Sequence, residues 1–248
     1  MTEQILQDQR LLWKNKPVLR KIYQDYYKRI AAHCIPGITL EIGGGSGNMK
    51  EYIGEVISTD IVPTPWLDAA ADAQAMPFRC NTFANIVAVD VLHHIEGCRR
   101  FFNEAERILK PGGNIILIEP AITPISWFFY QFFHPERVDM RIDPFVDPTP
   151  DPARLPFDAN QAIPTLLFSW QAQRFAQEFP GLHLAQAEYF SLLGYPLSGG
   201  FRSWCLIPRT FISSLLRIED HLSPLIGQLL GFRLFIVIEK RVKEPSDL

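Results

Sequence analysis

The sequence predicts an α/β fold, a mostly parallel sheet with helices on both faces, and three observations predict it. Apolar strand-like segments alternate with helical ones from about residue 37 to residue 120, and that alternation builds right-handed strand–helix–strand units. "FANIVAVDVLHHI" is apolar almost throughout, as a strand covered on both faces must be. "TLEIGGGSGNMK", Thr39 to Lys50, ends a strand-like run with four glycines in five residues. A loop of that kind lies at the carboxyl end of the sheet, where such folds bind ligands.

The elements follow in order. Residues 2–34 carry Leu6, Leu11, Leu12, Val18, Leu19, Ile22 and Ile30 at helical spacing, with Pro17 as an interruption. "PGITLEIGG" is the first strand, and "SGNMKEYI" restarts as a helix with Ser46 or Asn48 near its start. "EVISTDIV" is a second strand, and "WLDAAADAQAMPF" holds a short third one. After the fourth, "CRRFFNEAERILKPGG" is an amphipathic helix with Lys110 in its last turn and Pro111-Gly112-Gly113 as its stop. "NIILIEP" is the fifth strand. Pro144, Pro148, Pro150, Pro152, Pro156 and Pro164 then crowd a segment that cannot be regular, and a long irregular loop in a compact domain is often functional. "TLLFSWQAQRFAQEFPG" reads as a helix, "LHLAQAEYFSL" as a strand, and "PRTFISSLLRIEDHLSPLIGQLLG" as a helix broken near Pro224. "FRLFIVIEKR" is the last strand, and with its predecessor it forms a hairpin-like addition at the sheet edge.

Bulk properties exclude several function classes. With 248 residues, 47% hydrophobic and 21% charged, the composition is globular, and a net charge of −3 gives no footprint for nucleic acid. Cys34, Cys80, Cys98 and Cys205 form no C-x-x-C pair, so neither a zinc site nor a disulfide framework is expected. No leader pattern opens the chain, and no uncharged apolar run reaches the ~18 residues of a membrane span. The expected location is the cytoplasm, with peripheral membrane or lipid contact open and the oligomeric state unread.

The glycine loop fails both common phosphate fingerprints. G-x-G-x-x-G would need glycine at Asn48 or Lys50, and no glycine-lysine pair completes G-x-x-x-x-G-K-[ST]. What stands is E-x-G-x-G-x-G, made by Glu41, Gly43, Gly45 and Gly47. "LEIGGGSGN" resembles the first motif of class I S-adenosylmethionine-dependent methyltransferases. "DAQAMPF", "FANIVAVDVLHHI" and "ILKPGGNIILIEP" are similar to later motifs of that family, in the same order, and "FRLFIVIEKR" fits its seventh strand.

The resemblance implies a Rossmann-like seven-stranded mostly parallel sheet with helices on both faces and an antiparallel last strand. It implies S-adenosyl-L-methionine as cofactor, held by Glu41, Gly43, Gly45, Gly47, Asp60, Asp72, Ala73 and Asp90. Asp60 ends strand two, where the family places a ribose-binding acid, and Asp72 is preferred to Asp68 for the adenine end because it lies nearer the "MPF" turn. Simple strand-end charges are the plainer reading of Glu41 and Asp60. The resemblance also divides the chain into an N-terminal helical lid (1–36), the cofactor-binding core (37–120), a cap or substrate insertion (121–182) and a C-terminal part of the core with a helical insertion (183–248).

Methyl transfer needs orientation and, where the acceptor must lose a proton, a base. His94 and His93 are the candidate catalytic groups, with packing or capping as the alternative. Asp90 and His94 lack an evident third ligand, so no metal is expected. Trp127, Tyr130, Arg141 and Arg202 are the candidate substrate-binding residues. Aromatic segments after strand five and before the last helix favour a small apolar or amphipathic acceptor, methylated at O or C, and core packing is their plainer role. The competing functions are a nicotinamide-dependent oxidoreductase and a non-catalytic protein that binds the same cofactor.

Overall fold

The computed structural model describes residues 2–149, 151 and 153–242. Pro150 and Pro152 of the proline-rich segment lie outside the described residues. Helices α1 (Thr2–Asn15) and α2 (Pro17–His33) meet at Lys16, and Pro17 sits at the first position of α2, where its missing N–H costs nothing. Strands β1 (Thr39–Ile42), β2 (Val56–Asp60), β3 (Ala69–Ala70) and β4 (Phe83–Val89) follow. Then come α3 (Cys98–Ile108), β5 (Leu109–Pro120) and α4 (Pro124–Phe133). Helix α5 (Ile163–Thr165) runs through a π-helical turn (Leu166–Trp170) towards α6 (Ala172–Glu178). Strand β6 (Leu182–Phe190), α7 (Gly194–Ser198), α8 (Ile212–Leu230) and β7 (Arg233–Lys240) complete the order.

The seven strands form one sheet in the order β3-β2-β1-β4-β5-β7-β6. The pairs from β3 to β5 are parallel, and β7 runs antiparallel to both of its neighbours. The expected edge hairpin is therefore half right: β6 is the edge, and β7 is inserted between it and β5.

Side-chain alternation along the strands feeds two cores. Ile115 and Leu117 of β5 point to the layer built by Phe101 and Phe102 of α3 and by Phe175 and Phe179 at the end of α6. Ile116 and Ile118 point the other way, to Leu19, Ile22 and Tyr26 of α2 and Leu216 of α8.

Three local expectations are corrected. The helix after the glycine loop is a single 3₁₀ turn, Met49–Glu51. The space a helix would fill belongs to α2, which packs with Met49 and Ile53 and sets Tyr27 against Tyr52 at 5.1 Å between ring centroids. Lys110 is not in the last turn of α3. The helix ends at Ile108 and β5 begins at once, with Gly112 at φ +75° carrying the chain through the expected stop. Pro224 does not break α8. It is exposed, so water can satisfy the carbonyl it leaves open, and the helix continues.

Candidate active site

A cavity of about 620 Å³ opens at the carboxyl ends of β1, β2 and β4, and α1, α2 and the segment before α8 close over it. Its floor is the glycine loop. Gly43, Gly44 and Gly45 line it, whereas Gly47 does not. Gly45 has φ +49°, and a Cβ there would meet only the Gly43 carbonyl at 3.8 Å and Leu6 at 3.9 Å, so the backbone on this side is not crowded by the protein. Gly47 serves the protein itself. It has φ +73°, and a Cβ would lie 2.8 Å from Cδ1 of Trp66, whose indole N–H donates to the Gly45 carbonyl at 2.9 Å.

The acids around this floor differ in how they are held. Asp60 accepts from the amides of Gly45 (3.0 Å) and Val62 (2.9 Å), and burial still pushes its carboxyl above the ordinary range. Each of its oxygens keeps a lone pair for a hydroxyl. Glu41 is buried beneath the loop, accepts from the Ser58 hydroxyl, and is pushed up to about 7 by burial. Asp72 lies exposed at the cavity wall beside buried Ala73, with one oxygen accepting from the Gln74 amide at 2.8 Å. Asp68 instead pairs with Lys50 and accepts from the Ser58 amide, so of the two carboxylates only Asp72 lines the cavity. The "MPF" turn is fixed from α3: Glu104 accepts from the Met76 amide, and Arg107 donates to the carbonyls of Met76 and Phe78.

Beyond β4 the backbone turns sharply. Asp90 has φ +60°, a strained setting of the kind that clusters at functional sites. Its carboxylate pairs with buried Arg233 and accepts from the Tyr23 hydroxyl at 3.1 Å. Burial pushes Asp90 up, and the Arg233 charge opposes that push. The Arg233 guanidinium lies 3.9 Å over the ring of Tyr195.

The next turn carries both histidines into the cavity wall. His93 Nδ1 lies 2.6 Å from Glu119 at the end of β5, and Glu119 also accepts from the amides of Val91 and Leu92 at 2.8 Å each. His93 Nε2 lies 3.5 Å from Glu136. Burial opposes charge on His93, but the two carboxylates outweigh it and raise the ring to about 9. The same ring holds Glu136 down to about 2 against the effect of burial. His94 is lowered to about 4, first by burial and then by the His93 charge, and its Nδ1 has no hydrogen-bond partner among the described residues. The two ring centroids lie 4.2 Å apart with their planes tilted by 40°. One ligand atom each from His93, His94 and Glu136 lie within 4.8 Å of one another, so among the described residues His94 clusters with His93 and Glu136 rather than with Asp90.

The structure separates the four candidate acceptor residues. Tyr130 is buried in the cavity wall with its hydroxyl donating to the Phe232 carbonyl at 2.9 Å, and Arg202 lines the same cavity. Trp127 and Arg141 lie outside it, in a shallow surface groove. Exposed on the far side of α4 and on the loop after it, neither can reach the cavity, because Tyr130 occupies the inward face. Sequence reasoning missed Glu119, Glu136 and Arg233. Glu119 had a signal: it is the lone charge ending an apolar strand, one strand away from the histidine pair.

Bare backbone at Gly45, a two-oxygen acceptor at Asp60 and an acid under the loop at Glu41 fit a nucleoside that carries an ammonium and no phosphate. Comparison with known proteins agrees. Residues 40–117 match the family model described as a methyltransferase domain. A compactin diketide synthase of Penicillium citrinum is 28% identical over 130 residues, covering 41% of this chain and 5% of that protein. A lovastatin diketide synthase of Monascus pilosus is 31% identical over the same shares. The chain thus spans about 5% of the length of these curated relatives. In fold it is similar to an S-adenosylmethionine-dependent methyltransferase from Archaeoglobus fulgidus, with TM-score 0.52, 16% identity, 90% of this chain and 94% of that one. With the core segment matched by the family model and the motifs in register on the sheet, residues 40–117 of this chain form a methyltransferase domain.

Proposed function

We propose that this protein methylates a small apolar or amphipathic acceptor at an acidic carbon, with His93 as the base that removes the proton. The observation that carries this reading is the buried His93–Glu119 pair in the wall of the cavity that holds the glycine loop. A carboxylate on Nδ1 fixes the tautomer in which Nε2, facing Glu136, takes the proton, and the two carboxylates stabilise the imidazolium formed. Bound on the glycine loop, S-adenosylmethionine supplies an electrophilic methyl group and a neutral thioether as leaving group. Glu41, Gly45, Asp60 and Asp72 are the residues to hold it. The names of the two curated relatives speak of ketide chemistry, in which the carbon beside a carbonyl is the acidic one.

Turnover with a panel of 1,3-dicarbonyl compounds, read as S-adenosylhomocysteine release, tests the proposal. His93→Gln should lower kcat by about 10²–10⁴-fold, the usual share of a general base, while S-adenosylhomocysteine still binds. Undiminished turnover in that variant would remove His93 from the chemistry. Absence of S-adenosylhomocysteine binding by the wild type would remove the cofactor reading instead. Because His93 Nε2 cannot serve a metal ion and a proton together, activity should survive dialysis against a chelator. A loss restored by a divalent ion would turn the His93, His94 and Glu136 cluster into a metal site.

A further inference from the structure

Helix α4 faces solvent with almost nothing to justify its composition. It contains no charged residue, and only Ser126 and Tyr130 are buried. Trp127 is 43% exposed, Phe128 54%, Phe132 62% and Phe133 59%. Helix α8 packs against α4 and exposes a stripe of its own. Ile218, Leu222, Leu225 and Leu229 follow one another at spacings of four, three and four, which is one face of a helix, and Leu225 is 81% exposed. Apolar surface on this scale marks an interaction site rather than scatter.

Charge narrows the choice of occupant. Arg137 and Arg141 follow α4 and line a groove with Trp127 and Phe132. Their side chains are 70% and 89% exposed, and both lean on the single carboxylate of Asp139, so the groove keeps an uncompensated positive charge. A second copy of the chain in a two-fold interface would set this same positively charged patch against itself. An anionic lipid surface complements them. An uncharged aromatic helix with tryptophan, flanked by arginine, is also the composition that lies in a membrane interface. At about 15 Å long, α4 can only lie in that interface, and no described helix is long and apolar enough to cross a bilayer.

We propose that the α4 face, with the exposed stripe of α8, docks this protein on an anionic lipid bilayer. Phe133 belongs both to this face and to the cavity wall, so the docked face and the cavity mouth are continuous. The docking does not depend on the methyl-transfer reading.

Flotation of the full chain with vesicles decides it. Vesicles of equal parts phosphatidylcholine and phosphatidylglycerol should carry the protein upward, and phosphatidylcholine alone should carry much less. Phe128→Ser with Phe132→Ser should lower the bound fraction by at least about tenfold, from the apolar area withdrawn. Arg137→Gln with Arg141→Gln should remove the preference for the anionic vesicles, about fivefold per arginine. Thermal unfolding checks that each variant is folded. If the double phenylalanine variant is not, Leu225→Ser, at a side chain that packs on little, replaces it. Protein that stays below both vesicle types, or variants that float like the wild type, would overturn the proposal. A dimer by light scattering that ignores vesicles would assign the face to a second copy instead.

Discussion

Asp60 and Glu41 sit on either side of the glycine loop, yet their environments differ in a way that binding should report. Asp60→Ala removes the acceptor for the Gly45 and Val62 amides as well as for a ligand hydroxyl. S-adenosylhomocysteine affinity should fall by about 1–3 kcal/mol, the scale of a charged hydrogen bond, and calorimetry checks it. Unchanged affinity in a folded variant would move the ribose elsewhere. Glu41 is raised to about 7 by burial. A ligand ammonium favours the carboxylate, so binding should weaken as pH falls below that value and should release a proton near pH 7. His93, raised to about 9 by its two carboxylates, gives the opposite experiment. The base must be neutral, so the rate should climb as pH rises through that value rather than near the ordinary ~6.5. A plateau already reached at neutral pH would count against His93 as base.

Among the elements, the junction between α1 and α2 controls the roof of the cavity. Lys16 is buried there, and its ammonium donates to the carbonyls of Gly200 (2.7 Å), Arg202 (2.7 Å) and Trp204 (2.9 Å). Burial lowers its pKa, and the three carbonyls are what make the buried charge tolerable. One side chain thus ties the N-terminal helices to the loop that carries Arg202 into the cavity. Lys16→Met should destabilise the protein by at least about 2 kcal/mol, since three carbonyls lose their donor. Urea unfolding measures it, and a change under about 0.5 kcal/mol would mean that water replaces the ammonium. Helix α1 also lays Leu6 over the glycine loop, 3.9 Å from where a Gly45 Cβ would stand, and Arg10 over the ring of Trp66 at 4.7 Å. These contacts make it a cover whose fit depends on Lys16.

At the scale of the molecule, Phe102 joins the parallel core to the insertion after β5. It is fully buried, and its ring meets those of Phe101, Phe168, Phe175 and Phe179 at 4.8–6.0 Å. Phe102→Ala should cost about 3–5 kcal/mol, seen as a lower denaturation midpoint. Because the insertion carries Glu136, the damage should extend to the cavity and not stop at stability.

The strands and the glycine loop were legible because local rules fix them, and the acids Glu41, Asp60 and Asp72, singled out by the resemblance, line the cavity beside that loop. Alternation sets which strands are buried, and chain order puts loop ends at one edge of the sheet. The replacement of the helix expected over Ser46–Ile53 by a single 3₁₀ turn was not legible, since α2, far upstream, takes its place. Glu136 was invisible for the same reason. Nothing near it in sequence mentions His93, and only folding of the insertion brings them to 3.5 Å. The outward turn of Trp127 was likewise decided by Tyr130 taking the inward side of a ten-residue helix. The sequence by itself determined the methyltransferase-domain segment, the sheet and the place of the glycine loop on it, which depend on short-range pattern. Tertiary structure alone decided that His93, Glu119 and Glu136 meet in the cavity wall, because those groups come from segments whose separation along the chain carries no periodic signal.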